Sequence, residues 1–180
     1  MKNYLLTFSF FLAVILLISC QTTPSTQESS ADAAEKIIST IDFNVDMGQQ
    51  PWAFDIEAAT LANESYRSAN WTGQFMQLVF MTLKPGEEID LEIHDSHDQF
   101  IRIEEGKALV LMGKEAGNLT WRQEVEDDWA ILIPAGYWHQ IKNTGTNDLK
   151  LYTLYGPPEH PKGTVNKSYE EAKAAHTHEH

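Results

Sequence analysis

The sequence predicts an all-β fold, a barrel or sandwich of short strands followed by a short C-terminal helix. Three observations predict it. Short runs rich in β-branched and aromatic side chains succeed one another from Trp71 to Tyr155. Turn-forming residues separate them at Pro85-Gly86, Gly106, Gly113, Gly117, Pro134-Ala135-Gly136 and Asn143-Thr144-Gly145. Helical signals are confined to Asp55–Leu61, enough for a turn or two, and to a tail beginning at Ser168-Tyr169-Glu170-Glu171, whose spacing is that of a capping box.

The chain opens with an address. Met1-Lys2-Asn3 carries one positive charge, and Tyr4 to Ile18 is an apolar run of about 15 residues, short of the roughly 20 that span hydrocarbon as a helix. It ends in Leu17-Ile18-Ser19-Cys20, which resembles the bacterial lipobox. Residues 1–19 are therefore expected to be a lipoprotein signal peptide. Cys20 is expected to carry the lipid and to hold the protein at the bacterial cell envelope, facing the periplasm or the exterior. Because Cys20 is the single cysteine of the chain, an intramolecular disulfide and a thiolate-rich metal cluster are excluded. Residues 20–40 form a lipidated cysteine and a tether of Ser, Thr, Gln and Ala, too poor in large apolar side chains to offset its ordering entropy. The folded domain is expected over residues 41–166, and residues 167–180 are expected to hold the short helix and a polar tail containing His176, His178 and His180.

Phe75 to Leu83 is apolar on both faces, which suits a strand covered on both sides, and a homodimer is expected to supply part of that cover. Ile89 to His94 alternates, with Ile89, Leu91 and Ile93 on one face and Asp90, Glu92 and His94 on the other. Strands are then expected over Gln99–Glu105, Ala108–Met112, Leu119–Val125, Trp129–Ile133, Gln140–Lys142 and Leu149–Tyr155. Arg102 falls on the face opposite Gln99 and Ile101, at a sheet surface or a subunit contact. The whole chain of 180 residues has 26 acidic and 13 basic side chains, a formal charge of −13. Nucleic acid and anionic bilayer surfaces are thereby excluded as default partners.

Two motifs meet in this framework. Gly86, five residues, Glu92-Ile93-His94, four residues, Gln99, six residues and Gly106 follow the spacing of the first cupin motif. About 28 residues later, Pro134-Ala135-Gly136-Tyr137-Trp138-His139-Gln140-Ile141-Lys142-Asn143 resembles the second, with Asp128 where that motif begins with glycine. The resemblance implies a cupin jelly-roll barrel. It also implies a divalent metal held by Glu92, His94, Gln99 and His139, where the usual set is three histidines and a glutamate. Glu92 and His94 are two apart on a strand and so share a face. Gln99 on the next strand and His139 after the Pro-Ala-Gly turn are also able to point inward. The set keeps one negative charge and gains an amide oxygen, which suits Mn, Fe, Zn or Ni better than copper.

A narrower resemblance joins Asp98-Gln99-Phe100-Ile101-Arg102-Ile103-Glu104-Glu105-Gly106, Trp71-Thr72-Gly73 and the segment Leu151 to Val165 to the small single-domain cupins called mannose-6-phosphate-isomerase-like. It implies a metal site and a pocket for a small molecule, with isomerase or lyase chemistry through an enediolate. Glu92, Glu104 and His160 are the expected proton carriers. The alternatives are a metal-dependent dioxygenase and a non-enzymatic ligand-binding or sensor protein. His97 reads as an exposed loop imidazole and, alternatively, as a substitute ligand or acid–base group. Pro157-Pro158-Glu159-His160-Pro161 stiffens the exit from the last strand. That run either holds the tail helix as a surface loop or lays Glu159 or His160 over the barrel mouth. Tyr137, Trp138, Trp71, Tyr152 and Tyr155 are candidates for the pocket wall.

Overall fold

The computed structural model describes residues 41–176. Cys20, the lipobox, the tether and residues 177–180 lie outside them. The strands are β1 (Arg67–Thr72), β2 (Gln77–Leu83), β3 (Glu88–Glu92), β4 (Asp98–Glu105), β5 (Lys107–Gly113), β6 (Trp121–Glu126), β7 (Ala130–Ile133), β8 (Trp138–Asn143), β9 (Leu149–Gly156) and β10 (Val165–Asn166). Two short helices flank them, α1 (Ile56–Ala62) and α2 (Tyr169–His176). All named pairings are antiparallel, in a six-stranded sheet ordered β10-β1-β2-β9-β4-β7 and a four-stranded sheet ordered β3-β8-β5-β6. This is the jelly roll that the resemblance implies, and it fits the barrel or sandwich that the spacing of strands and turns predicts.

The inner faces meet in one core. Val79, Met81, Leu83, Ile101, Ile103, Leu149 and Leu151 from the larger sheet face Ile89, Val110 and Ile141 from the smaller. Alternation along each strand selects these residues. The outer face of the larger sheet is apolar too, which is why β2 is buried at every position. Leu78, Phe80, Tyr152 and Leu154 pack there against Ile41, Phe43, Trp52, Phe54 and Ile56. Phe80 takes the edges of Phe43 and Phe54, at centroid distances of 5.7 and 6.2 Å. The segment before α1 thus supplies the cover that β2 demands, and the two-faced run does not require a second subunit. Phe75 and Met76 precede the strand and are exposed.

Two strands escaped the sequence reading. Arg67-Ser68-Ala69-Asn70-Trp71-Thr72 has no apolar alternation, because Ser68 and Asn70 bury hydroxyl and amide groups against the 41–46 segment. Ser68 donates to the Phe43 carbonyl and Asn70 to that of Val45. β10 is only two residues long. In β3 the expected alternation fails. The register slips between Ile89 and Glu92, so that Ile89 enters the core and Leu91 is exposed while Glu92, three residues on, pairs across from His139.

The buried Gln77 and the half-buried Asp46 tie the exit loop after β9. The Gln77 amide donates from Nε2 to the His160 carbonyl and accepts at Oε1 from the His160 N–H, both at 2.9 Å. Asp46 accepts from Gly48 N at 2.7 Å, Thr72 N at 3.0 Å, Thr72 Oγ1 at 2.6 Å and Gly163 N at 3.0 Å. One carboxylate so joins the N-terminal cover, the end of β1 and the exit loop.

Candidate metal centre

Three turns bring the ligand candidates together. The Pro-Ala-Gly turn before β8 needs a left-handed residue, and Gly136 supplies it at φ 72°. Its N–H donates to the His94 carbonyl at 2.9 Å, while Ala135 N donates to Asp98 Oδ1 at 2.9 Å. The loop carrying His94 is therefore bonded to the turn that launches His139. At the far end of β8, Asn143 Nδ2 donates to the carbonyls of Leu83 and Asn147, each at 2.9 Å. Its Oδ1 accepts from Gly145 N at 2.9 Å, fixing the β8–β9 turn. Asp128, which stands where the motif has glycine, adopts φ 69°, the conformation that favours glycine.

Glu92 Oε1 lies 3.2 Å from His139 Nε2 and 3.4 Å from His94 Nε2, and the three ligand atoms fall within 4.8 Å of one another. His139 is fully buried, and its Nδ1 lies 3.0 Å from the Tyr137 carbonyl. With Nδ1–H donating to that carbonyl, Nε2 is the ring nitrogen that would be available to a metal. Burial opposes the charge of Glu92. The His139 and His94 imidazoles beside it outweigh that cost and hold its carboxyl well below the usual range. Burial likewise lowers His94, but the carboxylates of Glu92 and Glu159 prevail and raise it.

Gln99 points into the barrel and is almost fully buried. Its Nε2 donates to Thr153 Oγ1 at 3.1 Å, which turns Oε1 away from that partner, and Oε1 has no hydrogen-bond partner. His94 Nε2 is also without one. Orphaned acceptors in a buried site next to a carboxylate and a second imidazole are what a divalent cation satisfies, so the residues fit the implied metal. Glu92, His94, Gln99 and His139 would hold it.

A second group adjoins the first. Glu159 Oε2 lies 3.0 Å from His97 Nε2, and its Oε1 lies 3.6 Å from His94 Nδ1. His97 is buried, not an exposed loop imidazole, and its ring stacks on His94 at 4.5 Å and 24°. Burial and the neighbouring His94 both push its pKa down. Tyr155 presents its ring to His94, His97 and His160 at centroid distances of 5.6, 6.0 and 5.3 Å. Burial there pushes its phenol far above the ordinary range. The prolines of the exit loop and the Gln77 bonds set Glu159 at this mouth. His97 is only three residues from His94 in a turn too short to leave the site, a signal the sequence already carried.

The expected proton carrier Glu104 is not brought to the cluster. It lies on the opposite face of β4 from Gln99, bonded to Arg102 Nε at 2.9 Å, and Arg102 also pairs with Asp128. Alternation from the inward Gln99 forces this placement. Trp71 and Tyr152 line the outer cluster and not the pocket, whereas Tyr137 lies under the Lys114 ammonium at 3.7 Å. Arg67, which the sequence reading did not single out, is buried on the inward face of β1.

Fold and site together define a small jelly-roll protein with an enclosed His/Glu cluster suited to a divalent cation. The chain belongs to the cupin family: residues 79–155 match the family described as Cupin domain. It is 48% identical over 130 residues to the uncharacterized protein YrkC of Bacillus subtilis, covering 72% of this chain and 70% of YrkC. It is 44% identical over 118 residues to the uncharacterized protein L612 of Acanthamoeba polyphaga mimivirus, covering 65% of this chain and 72% of L612. The crystal structure of BH2720 from Bacillus halodurans is similar with a TM-score of 0.72 and 49% identity, over 72% of this chain and 98% of that one.

Proposed function

We propose that this cupin is a metal-dependent enzyme that moves protons on a small polar molecule, of the isomerase or lyase type. One observation carries the reading: Glu92, His94 and His139 converge beside the unsatisfied Gln99 Oε1, and the carboxylate of Glu159 stands across His94 from them. When bound, the metal supplies Lewis acidity, polarising a substrate oxygen and acidifying the neighbouring C–H.

The chain's own groups then have separable tasks. Glu92, His94, His139 and Gln99 hold the ion. The Tyr137 carbonyl fixes the tautomer of His139. Glu159, less buried than its neighbours, takes a proton at Oε1 or Oε2 and returns it, and His97 orients it through Oε2. His160 serves this step through its backbone, held by Gln77. Tyr155, kept neutral by burial, walls off water. Mn, Fe, Zn and Ni all suit the donor set. Metal analysis of protein purified from its native host, followed by a panel of aldoses, ketoses and hydroxy acids assayed for proton exchange into solvent, tests the reading. Metal-loaded protein that exchanges no substrate proton would leave a binding protein instead. We further infer that Cys20 is lipidated and that the domain works at the cell envelope, a reading supported by Leu17-Ile18-Ser19-Cys20.

A further inference from the structure

One tryptophan on the inward face of the smaller sheet is not packed into the core. The registers place Glu92, His139, Met112 and Trp121 directly opposite one another in a row across β3, β8, β5 and β6. Residues directly opposite in an antiparallel pair share a face, so Trp121 turns inward with Glu92 and His139. Val125, on the same face of β6, is a core residue, whereas Trp121 is 47% exposed. Two strand spacings, about 10 Å, separate its backbone from that of His139. The indole therefore stands at the same end of the barrel as the metal centre, with Met112 between them.

Trp121 walls an open cleft of about 330 Å³ whose other apolar sides are Met112 and Tyr137. Pockets for small molecules run from about 300 to 1,000 Å³, so one small ring fits here. None of Glu92, His94, Gln99 and His139 lines it. Its polar side is the β5–β6 hairpin, where Glu115 and Asn118 bridge. That turn folds so close to β5 that a Cβ on Gly113 would stand 2.3 Å from the Asn118 carbonyl. Glycine at this position thus lets the hairpin bring Asn118 and Thr120 to the cleft. The Lys114 ammonium is held at the rim, 3.7 Å from the Tyr137 ring centroid and 3.5 Å from the Gly136 carbonyl. Among the described residues, the side chains of Asn118, Thr120 and Trp121 make no hydrogen bond, which leaves their donors and acceptors for a ligand.

We infer that this cleft binds the ring of a neutral pyranose, with one face laid on the Trp121 indole. A pyranose chair turns axial C–H groups to its faces and hydroxyls to its rim. The C–H face suits the electron-rich face of an indole, and the hydroxyls suit an amide, a hydroxyl, a carboxylate and an ammonium around it. The charges of Lys114 and Glu115 cancel, so the cleft has no surplus positive charge for a phosphate. A flat aromatic ligand would match the indole and leave those four polar groups without partners. The inference goes beyond the function proposed above and does not rest on it, because the ring is held without the ion.

Isothermal titration of the full-length protein, freed of metal by a chelator, with glucose, galactose and mannose tests this. Galactose and mannose each differ from glucose at one hydroxyl, so the polar rim should favour one of the three. The expected result is that at least one sugar binds and that Trp121→Ala weakens it by about tenfold or more, the effect of losing an aromatic stacking partner. Asn118→Ala should weaken it by about fivefold, the size of one hydrogen bond. Should Trp121→Ala not fold, Asn118→Ala, in the exposed hairpin, decides alone. The 6-phosphate of the favoured sugar and catechol should bind no tighter than the sugar itself. Absence of binding by all three sugars, or affinity that survives the substitutions, overturns the inference. Tighter binding of the phosphate or of catechol overturns the ligand class. A sugar affinity that appears only with Mn²⁺ would put the ring at the metal centre and overturn the assignment to this cleft.

Discussion

Glu92 stays charged in a buried place because two imidazoles face one of its oxygens, so each member of the cluster depends on the others. His94→Ala and His139→Ala should each lower divalent-metal affinity by about a hundredfold or more in titration calorimetry, since imidazole is the strongest neutral donor available. Gln99→Ala should cost about tenfold. Gln99→Glu should tighten binding, because the Thr153 hydroxyl that now accepts from Nε2 can rotate to donate to a carboxylate. Glu159→Gln should keep the metal and reduce turnover by about a hundredfold or more, the range that loss of a proton carrier produces. Loss of metal from Glu159→Gln, measured by elemental analysis, would instead make Glu159 a ligand. The four metal candidates were legible because two motifs with fixed spacing named them. Arg67 was not, since a single arginine in a polar stretch has no pattern until the fold turns it inward.

At the scale of the element, β2 shows what periodicity conveys and what it leaves open. A run apolar on both faces announces that both faces are covered. It does not say by whom, and here the segment running to α1 closes over Phe80 and Leu154. Phe80→Ala should destabilise the fold by about 3–5 kcal/mol in chemical denaturation, because the cavity would open between the rings of Phe43 and Phe54 and a rigid sheet. A much smaller loss would mean that the N-terminal segment packs loosely. β3 illustrates the converse. Its register slip is invisible to a period-two reading, which assigns Ile89 and Glu92 to opposite faces although both turn inward. Strand β1 stayed hidden because its buried positions are Arg67, Ser68, Ala69 and Asn70, of which Ser68 and Asn70 are satisfied by partners far off in sequence.

For the whole molecule, the order of strands and turns made a barrel or sandwich legible and the two motifs narrowed it to a jelly roll, whereas the address at the start of the chain is chemistry that no packing argument tests. Mass spectrometry of membranes from the native host should find residues 1–19 removed and a diacylglyceryl group on Cys20; an intact Met1 would refute the assignment. Asp46, described above as a junction, has a mechanical consequence. It lies five residues from the start of the described chain and bonds both to Thr72 and to Gly163. Lys162, next in line, reaches the Gly48 carbonyl at 3.3 Å. Any pull applied at Ile41 therefore follows a short load path into the loop that carries Glu159. If Cys20 is moored to a membrane, tension on the chain is felt first where Ile41 and Phe43 cover Phe80 and then, through Asp46, at the mouth of the barrel.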